Sequence, residues 1–264
     1  MKTNEQKGAK TSMLALGRQN EIMDILKKDK SVQVSTLAKQ FFTCESTIRR
    51  DLEILEKKHL VRRTYGGAML LEGLNTEFPF DVRMRERQEE KSHIGRIAAD
   101  YVHDGDTIII DSSSTAYHML KFLKDRQDLT IITNGLRIAT AAGSELHCRV
   151  YCTGGMLREN SSSIVGTAAE AYVSGHRVQK LFFSCRAFSS DCRVMDLSDE
   201  EAALRRAMID SAEEVYLLCD DSKIGKTAFS VVCEAGKIDG LITDQQPAAP
   251  ICAALERAGV TVQY

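Results

Sequence analysis

The chain has 264 residues, 43% of them hydrophobic, which supplies a real core and excludes global disorder; that length suits one large or two ordinary domains. The formal net charge of −2 conceals an asymmetry: residues 1–74 carry 14 Lys and Arg against 9 Asp and Glu, while residues 75–264 carry 21 against 28. A basic N-terminal quarter on an acidic body fits a DNA-binding module joined to a part that does not bind DNA.

Residues 1–16 are expected to form a flexible N-terminal tail. They are largely polar and lack the apolar core of an export signal, which points to a cytoplasmic protein. Residues 17–28 read as a helix with Ile22, Ile25 and Leu26 inward, followed by a short extended stretch at 31–34. Ser35 is the expected N-cap of a second helix over 36–42, with Leu37, Ala38 and Phe41 inward. Thr43-Cys44-Glu45 forms the turn, and a third helix runs to about Lys58. Its inner stripe is Ile48, Leu52 and Leu55, at spacings of four and three. Measured from Ile48 around the helix, Ser46 falls at about 160° and Arg50 at about 200°. Both therefore point away from the packed face, with Thr47 and Arg49 on the flanks.

A helix that packs on one side and offers Arg, Ser and Thr on the other suits the DNA major groove, where arginine forks onto guanine or phosphate. The same spacing also fits a solvated charged face, and the neighbouring elements decide. Residues 60–68 alternate apolar and basic side chains and close on Gly66-Gly67, the pattern of a small β-hairpin. Three helices and a wing make a winged helix-turn-helix over residues 17–70, with the third helix as the reader and Arg62 and Arg63 against phosphate or in the minor groove, although the pair also fits a solvated strand edge. The expected DNA-contacting residues are thus Ser35, Ser46, Thr47, Arg49, Arg50, Arg62 and Arg63.

Residues 71–89 read as a charged linker. From Glu90 the rhythm becomes α/β and runs to residue 264. Helices are expected at 94–102 and 117–123. Short apolar strands are expected at 107–110, 129–133, 149–153, 180–183, 215–219 and 240–243. Such alternation implies a larger α/β domain with a mostly parallel sheet covered on both faces. No apolar run approaches the ~18 residues of a membrane span. The eight cysteines are scattered, several in apolar runs such as Leu217-Leu218-Cys219, and are expected as reduced thiols acting as small hydrophobes. Cys148-x-x-x-Cys152 lacks the usual zinc spacing, so neither a metal nor a cofactor is expected.

Ligands of open α/β sheets bind beyond the carboxyl ends of the strands. There the chain places Asp111-Ser112-Ser113-Ser114-Thr115, then Thr133-Asn134-Gly135, then Gly154-Gly155, then Asp220-Asp221-Ser222-Lys223. Hydroxyls leading into a helix suit an anion, glycine allows close approach, and Lys223 supplies a positive charge. The expected anion-binding residues are Asp111, Ser112, Ser113, Ser114, Thr115, Thr133, Asn134, Gly154, Gly155 and Lys223. Each loop taken alone also reads as an ordinary connection.

The motifs together resemble one family. Arg18, the 35–41 helix, Thr47-Ile48-Arg49-Arg50-Asp51-Leu52 and Arg62 with Tyr65-Gly66-Gly67-Ala68 look like the DeoR family of bacterial transcription regulators. So do Arg83, Glu90-Lys91, Gly105-Asp106, Thr133-Asn134, Gly154-Gly155, Gly166, Asp220-x-Ser222-Lys223 and Ile242-Thr243-Asp244, in order from about residue 17 to 245. The resemblance implies a winged helix-turn-helix and a sensor similar to ribose-5-phosphate isomerase. It also implies a phosphorylated sugar as effector, operator DNA as partner, repression of a carbohydrate-use operon, and a homo-oligomer (dimer or tetramer). Two departures stand out. Cys44 occupies the N-cap position where the family usually has serine. The stretch 184–196 carries Arg186 and Arg193 and no glycine, where relatives commonly carry an acidic, glycine-bearing loop.

Two alternatives are open at this point. One is a sugar-phosphate isomerase with an appended DNA-binding domain. It would need a carboxylate base in the pocket, for which Asp111, Asp220 and Asp221 are the nearby candidates. The other is a protein-interaction module with a degenerate pocket.

Overall fold

The computed structural model describes residues 2–58, 60–71 and 77–264, with side chains described from Ala15 onward. It divides into two compact units, Met1–Val82 and Arg83–Tyr264.

The first unit opens with α1 (Lys2–Asp29). Helix therefore already covers the stretch from Lys2 that was expected as a flexible tail. Among the described side chains of α1, the buried stripe is Ile22, Met23 and Leu26. Then follow β1 (Ser31–Gln33), α2 (Val34–Gln40), α3 (Glu45–Lys57), β2 (Val61–Thr64) and β3 (Gly67–Leu70). The strands form one antiparallel sheet in the order β1-β3-β2. Gly67 is required where β3 crosses β1, since a Cβ there would lie 2.1 Å from the Val32 carbonyl oxygen.

Ser35 is not the cap of α2. The helix begins at Val34, and Gln33 occupies the cap position without a side-chain cap bond. The Val34 N–H instead donates to the Gly66 carbonyl of the wing turn (2.8 Å), so a tertiary contact replaces the local cap. Ile48, Leu52 and Leu55 of α3 are buried with Ile22, Leu26, Leu37 and Leu60 in one core. That core also takes in Val82 and, at its edge, Phe78. The first unit thus extends past residue 70 into the expected linker, whose residues 72–76 lie outside the described residues. The chain leaves it through α4 (Phe80–Arg85).

The second unit runs α5 (Gln88–Asp100), β4 (Thr107–Ile110), α6 (Ser114–Tyr117), β5 (Leu129–Thr133), α7 (Leu136–Glu145) and β6 (Cys148–Cys152). It continues with β7 (Met156–Arg158), β8 (Ser163–Val165), α8 (Thr167–Ser174), β9 (Val178–Ser184), β10 (Ala187–Phe188), β11 (Arg193–Asp196) and α9 (Asp199–Ser211). The last elements are β12 (Ala212–Leu218), β13 (Ser230–Glu234), β14 (Gly240–Ile242), α10 (Ala249–Arg257) and β15 (Thr261–Gln263). Seven strands form a wholly parallel sheet in the order β15-β14-β12-β9-β4-β5-β6.

Alternation along these strands feeds two cores, one on each face. Ile109, Leu181, Phe183 and Leu217 join the core that includes Ala202 and Met208 of α9. Ile108, Ile110, Phe182 and Leu218 join the one that includes Ile94 of α5 and Ile138 of α7. The helix expected at 117–123 is instead α6 followed by a 3-10 turn at Leu120–Phe122. Ser113 caps α6 and so starts it early. The backbone then tightens into i to i−3 bonds, as from Met119 to Ala116 (3.1 Å) and from Phe122 to Met119 (3.0 Å).

Candidate functional site

In the first unit, α3 is seated on α1 by a buried ion pair. Asp51 faces inward and accepts from Arg18 Nε (2.5 Å) and Gln19 Nε2 (3.1 Å). The opposite side of the helix is free: Ser46, Arg49 and Arg50 are exposed and Thr47 partly so. Arg49 pairs with Glu45 one turn earlier (2.5 Å). The side chains of Arg50 and Arg62 make no ion pair or hydrogen bond among the described residues, whereas Arg63 clasps Glu56 through its backbone N–H (2.9 Å) and Nε (2.7 Å). Ser35 lies exposed in the first turn of α2. Cys44 stands at the N-cap of α3 in extended conformation and makes no cap bond to the backbone. Its sulfur lies 3.1 Å from both the Ser46 and Thr47 hydroxyls, which bring the thiol down to a pKa of about 7.

In the second unit, three strand-end loops converge. Asp111 directly follows β4 and is 1% exposed. Its Oδ1 accepts from the Ser113 N–H (3.1 Å), and its Oδ2 accepts from the Ser184 N–H (3.2 Å) and from Arg205 Nε and Nη2 (3.1 and 3.0 Å). Ser113 Oγ accepts from the Ala116 N–H (3.1 Å). Asn134 Oδ1 accepts from the Ser112 N–H (3.0 Å), while its Nδ2 donates to the Ile164 carbonyl (3.1 Å). Thr133 Oγ1 accepts from the Gly135 N–H (3.0 Å). Gly135 itself lies so close to the serine loop that a Cβ would sit 2.8 Å from Ser112 Cα.

Lys223 reaches this cluster from the loop after β12. Its Nζ donates to Ser184 Oγ (3.0 Å), approaches Thr115 Oγ1 at 3.5 Å and pairs with Asp220 at 3.4 Å. Burial is the largest influence and opposes its charge, but Asp220 together with Cys219 and Cys185 overcomes it and raises the lysine pKa. Asp220 is held at about 2: burial alone would push it up, and Lys223, Ser222, Lys91 and Arg87 overcome that. The structure thus brings together Asp111 to Thr115, Thr133, Asn134 and Lys223. Gly154 and Gly155 are exposed residues beyond β6. Gly155, at φ +140°, is demanded by the β7–β8 hairpin, because a Cβ would meet the Val165 carbonyl oxygen at 2.5 Å.

Periodicity did not point to Arg205, Glu201, Ser184 or Lys91. Arg205 is buried among Asp111, Asp196 (2.9 Å) and Glu201 (3.3 Å), and this surrounding charge raises its pKa against the cost of burial. Lys91 lies on the buried stripe of α5 with Ile94, Gly95 and Ala98. A charged residue at an apolar-stripe position was the available signal in both helices. A separate surface groove of about 510 Å³, lined by Gln88, Glu89, Ser92, His93, Arg96, Lys121 and Phe122, contains none of the expected anion-binding residues.

The strand-end carboxylates are committed to ion pairs: Asp111 to Arg205, Asp220 to Lys223, and Asp221 to Arg87. This argues against a free general base of the kind an isomerase needs. Among the described residues no helix is long and apolar enough to cross a membrane.

Comparison with known proteins agrees with this two-part organisation. Residues 18–73 match the DeoR-like helix-turn-helix domain, and residues 86–245 match the DeoR C terminal sensor domain. The chain is 38% identical to the helix-turn-helix transcriptional regulator YulB of Bacillus subtilis, over 88% of this chain and 90% of that protein. It is 30% identical to the glycerol-3-phosphate regulon repressor of Escherichia coli, over 87% and 91%. Among solved structures, ribose 5-phosphate isomerase A of Methanocaldococcus jannaschii aligns at a TM-score of 0.38 and 15% identity, over 53% of this chain and 55% of that one, a likeness too loose to carry an argument. The chain belongs to the DeoR family of DNA-binding transcriptional repressors.

Proposed function

We propose that the chain binds operator DNA through the exposed side of α3 and the wing, and that a phosphorylated sugar held at the strand-end site controls that binding. The observation that carries the effector reading is the convergence of Lys223, Ser184 and Thr115 beside the buried serine loop. A cation set among hydroxyls matches a phosphate group. The name of the glycerol-3-phosphate regulon repressor points to the same class of effector. Arg50 and Arg62 are the first choices for DNA contacts, Arg50 to a base and Arg62 to phosphate. In this reading the protein works in the cytoplasm as a dimer or tetramer whose paired reading helices match operator half-sites. Effector binding favours the state in which that match is lost, which requires a preference of a few kcal/mol for one state.

A gel-shift titration tests this. Operator binding should weaken with at least one member of a panel of hexose, pentose and triose phosphates. No change with any member would overturn the induction reading, and a strictly monomeric protein in sedimentation would overturn the half-site reading.

A further inference from the structure

Two basic side chains of the second unit hold consecutive carbonyls at the C-terminal end of α4. Lys91 Nζ donates to the Arg83 carbonyl, and the His118 ring lies close enough to the Met84 carbonyl for that carbonyl to favour its protonated form. Among the described residues His118 Nε2 has no partner, which leaves Nδ1 for that contact. Both side chains are buried, Lys91 at 4% and His118 at 6% exposure. The last carbonyls of a helix lack intrahelical partners, and donors or cations placed there are favourable. α4 is also where the chain passes from one unit to the other: Val82 belongs to the first core, and Arg83 opens the second unit.

Each holder is tied to the strand-end site. Lys91 is close enough to Lys223 to be repelled by it and close enough to Asp220 to be attracted. Burial, aided by that repulsion, brings its pKa from the ordinary lysine range down to about 7. His118 directly follows α6, the helix capped by Ser113 of the serine loop. Its backbone lies against Gly95 of α5, where a Cβ would come within 2.8 Å of His118 C and Met119 N. Lys91 and Gly95 share the buried stripe of α5, one turn apart. The charged groups facing Lys91 are Lys223, Asp220, Glu86 and Arg83, and those facing His118 are Lys91 and Lys121.

We propose that Lys91 and His118 are positioning residues that report occupancy of the strand-end site to the connector helix α4. An anion beside Lys223 offsets the repulsion at Lys91, favours its ammonium form and tightens its hold on the Arg83 carbonyl. Ordering of the serine loop acts in parallel through α6 and His118. This inference rests on the reading of that site as the effector site.

The test uses the full chain, a pool of glucose 6-phosphate, fructose 6-phosphate, fructose 1-phosphate and ribose 5-phosphate, and the variants His118→Leu and His118→Asn. Hydrogen exchange of residues 111–116 reports site occupancy, and operator affinity reports the output. In His118→Leu the pool should still protect 111–116 at wild-type concentrations, while the pool-induced change in operator affinity shrinks at least tenfold. His118→Asn keeps a donor near the Nδ1 position and should restore most of the response. A wild-type response in His118→Leu, or loss of its protection at 111–116, overturns the proposal. Should His118→Leu not fold, exchange at residues 80–87 of the wild-type protein decides: the pool should slow it at least threefold, and no change overturns the proposal. Absence of wild-type protection at 111–116 overturns the effector reading itself, and the relay with it.

Discussion

Arg50 and Arg63 are neighbours in kind but not in circumstance. The Arg50 side chain stands exposed on α3 with no ion pair or hydrogen bond among the described residues, whereas the Arg63 side chain must release its Nε bond to Glu56 before it can reach a phosphate. Arg50→Ala should weaken operator binding and relax specificity at one base position by ~1–3 kcal/mol. Arg62→Ala should weaken all sequences alike and lower the salt slope. Operator titrations at several salt concentrations separate the two, and unchanged binding in both variants would remove the assigned DNA face. Cys44 is the second residue-scale case. Burial raises the pKa of Cys148, Cys152 and Cys192, while the hydroxyls of Ser46 and Thr47 lower that of Cys44 to about 7. Thiolate is the reactive form, so limited iodoacetamide at neutral pH should label Cys44 first, read by peptide mass. Bound operator should slow that labelling if α3 lies in the groove.

The seat of α3 is an element-scale matter. Asp51 is 2% exposed and its carboxylate is satisfied by Arg18 and Gln19 of α1. Arg18→Leu would leave that carboxylate buried with only the Gln19 bond, a defect of about 2–4 kcal/mol. Urea denaturation followed by fluorescence or circular dichroism should show the loss in the first unit's transition. A variant within ~0.5 kcal/mol of the wild type would mean that Asp51 finds another partner. Elements were legible where apolar pattern and burial coincide: β4 and β5 were read at their observed bounds because Thr107–Ile110 and Leu129–Thr133 are nearly continuous apolar runs within a covered sheet. The stripe of α3 was legible for the same reason. Pattern failed for β7, β8, β10 and β15, which are only two or three residues long, and also for the longer β11 and β13. It also failed for Arg205 and Lys91, because a periodicity that treats charge as exposed cannot place a charged group inside. Of the strand-end residues, Asp111, Asn134 and Lys223 were found from their positions after strands, while their organiser Arg205 lies mid-helix, far from any strand end in sequence.

At the scale of the whole molecule, each unit has its own apolar core and each has its own proposed ligand. Thermal unfolding should therefore show two transitions, and the two ligands should move different ones. A saturating phosphosugar, near 100-fold above its Kd, stabilises only the unit that holds it, by about 2.7 kcal/mol. For a unit of this size that is a rise of roughly 5–10 °C in one midpoint. Operator DNA should raise the other. Acid offers an independent handle on the sensor transition. The folded pKa of Asp220, about 2, lies below the ordinary aspartate value of ~3.9. Its contribution is thus complete above about pH 4 and is lost as pH falls from there through 2. The shift corresponds to roughly 2–3 kcal/mol, so the sensor midpoint should drop across that window, and an Asp220→Asn variant should show a shallower drop. Differential scanning calorimetry between pH 2 and 7, with and without ligand, reads both effects. A single transition moved equally by phosphosugar and by DNA would mean that the two units unfold as one.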